Sequence, residues 1–313
     1  MMLIKPKFWS KKISFFSIIL IPFSLLFFLI IYFRKKFTKV KSFKIPIVCI
    51  GNIYIGGTGK TPSSIFLANE LKKLGRKPVI LRKYYKNHKD EYNLIKTKFN
   101  NLIINQNRIE SLRKAEKSNF DIAILDDGLQ DYRIKKDLSI VCFNQNQLIG
   151  NGLLLPSGPL RETLTALKNA HIVLINGIKD KSFEDKILDI NKKLEIFYSS
   201  YEPTNIKQFK NKKLLAIAGI GNPENFFKLI KENNLSIKKK LIFPDHYIFQ
   251  KNQIQKIVDE AKRKNYQIVM TEKDYFKIKD YKIDNIKYLK ISLRIHNQNK
   301  LLNKLKKLYA KNN

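Results

Sequence analysis

The chain has 313 residues, 44% hydrophobic and 12% aromatic, enough apolar material for buried cores and too much for a disordered segment. A formal charge of +35 would attract nucleic acid, anionic lipid or polyphosphate, but the 61 Lys and Arg are spread along the chain rather than gathered in one arm, so the charge is permissive and not diagnostic. Cys49 and Cys142 each sit in an apolar run and fit reduced, buried thiols; with four His and no Cys-x-x-Cys pair, neither a disulfide framework nor a zinc site is indicated.

Residues 13–33 read ISFFSIILIPFSLLFFLIIYF, 21 positions without a charge. As one helix they would cover roughly 30 Å, the thickness of a bilayer core, and an N-terminal membrane helix is expected. Pro22 near the middle predicts a kink, and Lys on both flanks keeps a tilted or half-inserted anchor open beside a full span. A cleaved signal peptide fits poorly, because RKKFTKVKSFK (34–44) offers no small-residue cleavage site. The cations after the segment (Arg34, Lys35, Lys36, Lys39, Lys41, Lys44) outnumber those before it (Lys5, Lys7, Lys11, Lys12), a small excess that favours a cytoplasmic body.

IPIVCIGN (45–52) reads as a buried strand and is followed by GNIYIGGTGKTP (51–62). The glycine that usually opens a phosphate loop, with four residues between it and the Gly-Lys pair, is Tyr54 here, yet Gly56, Gly57 and Gly59 still let backbone approach a phosphate. Pro62 suits a first helical turn, Leu67, Leu71 and Leu74 share one face, and Gly75 ends it. Strand, loop and helix in that order make Ile55, Gly56, Gly57, Thr58, Gly59, Lys60, Thr61 and Pro62 the candidate nucleotide site. Backbone N–H groups and the helix start would hold phosphate oxygens, Lys60 would reach the β and γ phosphates, and the Thr61 hydroxyl would face Mg²⁺. FDIAILDDGLQD (120–131) supplies the acidic half: a strand through Leu125 delivers Asp126 and Asp127 at its carboxyl end, where they can serve a metal. A plain surface turn at Asp-Asp-Gly is the alternative, and its pairing with the loop at 56–61 weighs against it.

Six stretches carry a resemblance: GNIYIGGTGKTP, DDGLQDYRI (126–134), GNGLLLPSGPLRE (150–162), AGIGNPENFF (218–227), FPDHY (243–247) and VMTEKD (269–274). In this order they resemble the tetraacyldisaccharide 4'-kinases, whose phosphate loop is itself of the Gly-Gly-x-Gly-Lys-Thr-Pro kind. The resemblance implies ATP and Mg²⁺ as cofactors, a lipid disaccharide as substrate, an anionic membrane surface as partner, and a place at the cytoplasmic face of the inner membrane. It implies catalytic roles for Lys60, Asp90 and His246, the last two as a base and its orienting imidazole. It further implies metal contacts from Thr61, Asp126, Asp127 and Glu162, and substrate contacts from Arg108, Gln130 and Arg161. The sequence departs from the family pattern at LRKYYKN (81–87), which keeps Arg82 and Tyr84 but has Lys83 and Tyr85 among its departures. It departs also at Lys89 and Tyr92 around Asp90-Glu91, and at Asp131, where the family has His.

Short apolar strands alternate with helices from 45 to about 200, which predicts an α/β fold. It is a P-loop NTPase-like, mostly parallel sheet with helices on both faces, joined to a smaller C-terminal α/β unit and the N-terminal membrane helix. The expected domains are an anchor over 1–40, a P-loop kinase domain over 41–208 and the smaller domain over 209–313, in a monomer that binds no nucleic acid. A membrane-anchored, nucleotide-dependent switch is the competing reading, and it needs the loop and the Asp pair but no base.

Overall fold

The computed structural model describes residues 6–10, 13–86, 88–245 and 247–310. In chain order, α1 (Phe15–Ile19) and α2 (Ile21–Phe37) lead into β1 (Ile47–Gly51), α3 (Lys60–Lys73), β2 (Pro78–Lys83), α4 (Lys89–Lys98), β3 (Leu102–Asn105), α5 (Arg108–Lys117), β4 (Ile122–Asp126) and β5 (Leu138–Asn144). Then come β6 (Ile172–Asn176), α6 (Lys181–Leu188), β7 (Glu195–Pro203), β8 (Lys213–Ala218), α7 (Pro223–Glu232) and β9 (Ser236–Ile242). The chain closes with α8 (Lys251–Arg263), β10 (Gln267–Thr271), α9 (Glu272–Ile278), β11 (Ile286–Leu289), β12 (Ile291–Ile295) and α10 (Gln298–Ala310).

Residues 85–98 and 201–293 form one compact unit, and the remaining described residues form a larger one. This division differs from a single cut after residue 208. Helix α4 goes with 201–293 because it packs on α9. The C-terminal 294–310 go with the larger unit because His296 N donates to Tyr198 O at 2.8 Å, Gln298 Nε2 donates to Glu70 at 2.8 Å, and Leu301 and Leu305 are buried.

The larger unit holds most of an eight-stranded sheet ordered β12-β7-β6-β5-β1-β4-β2-β3, in which every pair from β7 to β3 is parallel. β1 (IVCIG), β4 (IAILD) and β5 (LSIVCFN) are buried along their whole length, as parallel strands covered on both faces must be. Because the chain leaves β1 toward β2 and later returns to its other side at β5, the carboxyl ends of β1 and β4 lie at the reversal of strand order, where such sheets bind ligands. The turn after β4 closes over β1. A Cβ added at Gly51 would meet Leu129 Cβ at 2.4 Å and its backbone N and Cα at 3.2 and 3.3 Å. Gly51→Ala is therefore expected to destabilise the protein by roughly 1–3 kcal/mol, read as a lowered melting temperature; an unchanged value would show that this turn yields freely.

The N-terminal apolar segment is two helices rather than one. α1 ends at Leu20, and Pro22 stands in the first turn of α2, where its missing N–H costs nothing, instead of kinking a continuous helix. Among the described residues no helix is long and apolar enough to cross a membrane. The segment is two-faced. Phe15, Phe16, Phe23, Leu25, Leu26, Phe33 and Phe37 are exposed, while Ser17 and Ser24 are buried against residues 151–157. The Ser24 hydroxyl lies 2.9 Å from Leu154 O and 2.8 Å from Ser157 Oγ, Asn151 Nδ2 donates to Ser17 Oγ at 3.2 Å, and Trp9 Nε1 donates to Pro156 O at 3.0 Å.

The smaller unit is a parallel sheet ordered β11-β10-β8-β9. Alternation along β8 divides its core: Leu214, Ala216 and Ala218 pack with Phe226, Phe227 and Ile230 of α7, and Leu215 and Ile217 pack with Ile254, Val258 and Ala261 of α8.

Candidate active site

The loop after β1 first runs antiparallel to residues 159–161. Tyr54 bridges Leu160, Ile55 N donates to Pro159 O at 3.0 Å, and Arg161 N donates to Ile53 O at 2.7 Å. Tyr54 is thus a buried, sheet-like position outside the left-handed region, so no glycine is needed there. The left-handed turns fall later, at Gly56 (φ 76°), Gly57 (φ 49°) and Gly59 (φ 88°), which is where glycine is required and where α3 begins. Asn52, fully buried, ties the loop together: its Nδ2 donates to Thr58 Oγ1 at 2.8 Å, its carbonyl accepts from Gln130 Nε2 at 2.9 Å and from Arg161 at 3.1 Å, and its Oδ1 also accepts from Arg161.

Register places the acidic half beside this loop. Asp126 pairs with Ile50 of β1 on one side and with Arg82 of β2 on the other. Its carboxylate is fully buried, ion-paired with Arg82, and accepts the Thr61 hydroxyl at 3.1 Å and the Ser64 hydroxyl at 3.0 Å. Asp127, left-handed at φ 58°, turns toward the loop, 3.7 Å from Lys60 Nζ and 2.8 Å from Arg161. Burial would push the Asp127 carboxyl up, but Lys60 and Arg161 outweigh it and hold it well below the usual carboxylate range. Burial lowers the Lys60 ammonium, and Asp127 works against that shift. The loop therefore presents a largely buried cation whose nearest counter-charge is already shared with Arg161, a poised receptor for an incoming polyanion.

The remaining expected residues of this unit divide. Arg108, at the start of α5, donates to Asp127 O at 2.6 Å, and Gln130 and Arg161 meet at Asn52. Glu162 is buried but does not form a three-carboxylate cluster with Asp126 and Asp127; among the described residues no group of three or more His, Cys, Asp or Glu could hold a metal. Its carboxylate instead pairs with Lys35 of α2 at 2.6 Å, and Lys35 lies over the Tyr132 ring at 5.1 Å from its centre. Burial first, and then Glu162, raise the Tyr132 hydroxyl above its ordinary range. Mg²⁺ asks for less than a carboxylate cluster: one or two carboxylates beside phosphate and water oxygens suffice, and the adjoining Thr61 hydroxyl and Asp126 carboxylate fit that set. Asp131, the departure from a family His, grips Arg133 through two bonds of 2.9 Å and stands 3.9 Å from Arg108, so it organises arginines where an imidazole could move a proton.

In the smaller unit Asp90 is buried in the first turn of α4, with Oδ2 3.7 Å from Lys273 and 3.8 Å from Lys277, two positions one turn apart on α9. Lys273 also reaches Glu91 at 3.2 Å and Asp245 at 3.0 Å. Lys277 is braced by Asp274, which accepts from Gly219 N and from the Thr271 hydroxyl at 2.7 Å each. His246 lies outside the described residues. Sequence reasoning assigned nothing to Asn52 or to the two lysines. The Lys–x₃–Lys spacing after VMTE was the available signal for the latter, since it puts both side chains on one helical face.

A family model described as tetraacyldisaccharide-1-P 4'-kinase matches residues 16–310. A Pelagibacter ubique protein named tetraacyldisaccharide 4'-kinase is 43% identical over 316 residues, covering 100% of both chains. One from Haemophilus influenzae is 33% identical and covers 88% of each. The fold is similar to a crystal structure of LpxK from Aquifex aeolicus in complex with ATP, at a TM-score of 0.73 and 24% identity, over 94% of this chain and 99% of that one. With the family model spanning nearly its whole length and a full-length relative at 43% identity, the chain belongs to the tetraacyldisaccharide 4'-kinase family.

Proposed function

We propose that this protein transfers the γ-phosphoryl group of ATP to the 4'-hydroxyl of the tetraacyldisaccharide 1-phosphate lipid A precursor, giving lipid IVA, at the cytoplasmic face of the inner membrane. Family membership supports the reaction. The observation that carries it to named residues is the convergence of Lys60, Thr61, Asp126 and Asp127 at the end of β1 and β4. Phosphoryl transfer asks for positioning and charge neutralisation more than for covalent chemistry. The loop amides at 56–61 would hold the phosphates, with Lys60 exchanging part of its interaction with Asp127 for β and γ oxygens. Arg161, fixed by Asn52 and Asp127, would add a second positive charge. Mg²⁺, when bound, would neutralise phosphate charge with Thr61 and Asp126 as protein ligands and Asp127 nearby, while Glu162 stays paired with Lys35. Asp90 would accept the proton of the 4'-hydroxyl, oriented by His246. The exposed apolar side of α1 and α2 would seat in the bilayer, with Arg34 and Lys36 among the headgroups.

Detergent-solubilised protein given labelled ATP, Mg²⁺ and the tetraacyldisaccharide 1-phosphate is expected to form a 4'-phosphorylated lipid. Folded protein that binds ATP without forming this product would remove the kinase reading and favour a nucleotide-dependent switch.

A further inference from the structure

Just beyond α2 the larger unit holds a cavity of about 470 Å³ that no step above uses, lined by Lys39, Lys41, Asn107, Glu110, Arg113 and Arg133 among others. Four of these are cations and one is an acid. The lining is held in place: Lys41 N donates to Arg133 O at 2.7 Å and Lys135 N to Lys41 O at 2.9 Å, which stitches the segment after α2 to residues 133–135. Arg133 is gripped by Asp131 through two bonds of 2.9 Å, and Asn107 caps the ten-residue α5 by accepting from Ile109 N at 3.1 Å. Four cations against one acid around one cavity make an anion receptor. The chain leading into it says which anion. Phe33, Phe37 and Val40 are exposed, and Val40 stands between the two lining lysines. Apolar side chains bound for acyl chains thus alternate with cations at the level of headgroups.

We propose that this cavity binds the phosphate of an anionic phospholipid of the surrounding bilayer, fixing the enzyme's depth and orientation at the surface. The inference rests on the reading of α1 and α2 as seated in a membrane. The full chain would be floated with vesicles of phosphatidylcholine alone and of equal parts phosphatidylcholine and phosphatidylglycerol. A Lys39→Gln, Lys41→Gln, Arg113→Gln triple variant would be compared with a Lys44→Gln, Lys114→Gln, Lys135→Gln triple, which removes the same charge from nearby positions outside the cavity. The first triple is expected to lose about tenfold more affinity for the phosphatidylglycerol vesicles than the second, with binding to neutral vesicles unchanged. Arg113→Gln alone, at an exposed helix position, should show part of this loss and covers the case of a triple that fails to fold. Equal losses in the two triples would overturn the proposal in favour of diffuse surface charge. Unchanged vesicle binding with a raised KM for the tetraacyldisaccharide 1-phosphate would overturn it by giving the cavity to the acceptor's own phosphate. Wild-type protein that floats with neither vesicle would remove the membrane reading itself, and the proposal with it.

Discussion

Lys60→Ala should lower phosphoryl transfer by about 10³-fold or more while leaving the fold intact. The two halves of this expectation come from one arrangement. Lys60 is the loop's own cation, 3.7 Å from Asp127 in a site that is only 13% exposed at the lysine side chain, and no other lysine among the described residues makes an ion pair with Asp127. Losing it removes charge neutralisation where the transferring phosphoryl group would sit. Its ammonium is lowered by burial, so holding it charged there costs stability, and Asp127 retains Arg161 at 2.8 Å after the substitution. The melting temperature should therefore stay within a few degrees of wild type, as measured by calorimetry beside the lipid-product assay. Transfer at more than about a tenth of the wild-type rate would sink the phosphate-loop assignment.

Asp90→Asn is expected to reduce kcat by about 10²–10⁴-fold with the KM for ATP changed by less than about threefold. The side chain keeps its size and its place on α4, and the lysines of α9 keep their own acidic partners, Lys273 with Glu91 and Asp245 and Lys277 with Asp274. What is lost is the carboxylate proposed to accept the hydroxyl proton. A parallel fall in kcat and ATP affinity, or a matching fall in thermal stability, would give Asp90 a structural role and return the active-site reading to the phosphate loop alone.

The parts of this architecture legible in the sequence are those whose cause is local. β1 and β4 are unbroken apolar runs, and the glycines at 56, 57 and 59 sit where the backbone turns left-handed, so loop and Asp pair could be placed from spacing. That Tyr54 is tolerated followed from the three later glycines, but what Tyr54 does there was not legible, because it depends on pairing with Leu160, more than a hundred positions along the chain. Arg82 could be matched to the family, yet its pairing with Asp126 follows from the register of β2 against β4, which no local pattern encodes. The same holds for α4, whose short amphipathic sequence says nothing of packing on α9 rather than on its chain neighbours. Hydropathy found residues 13–33 but averaged over the break at Leu20 and over the two serines that face inward.

That inward serine face bears on how the enzyme can be handled in the laboratory. A hydrophobic N-terminus invites deletion to gain yield, on the assumption that it is a detachable leash. Here, cutting after Phe37 would strip Lys35 from the buried Glu162, Ser24 from Leu154 and Ser157, and Trp9 from Pro156, and would open to water the surface these residues cover. The trimmed protein would be a wounded enzyme rather than a convenient one, so purification in detergent or in lipid discs is the preparation that preserves the catalytic unit.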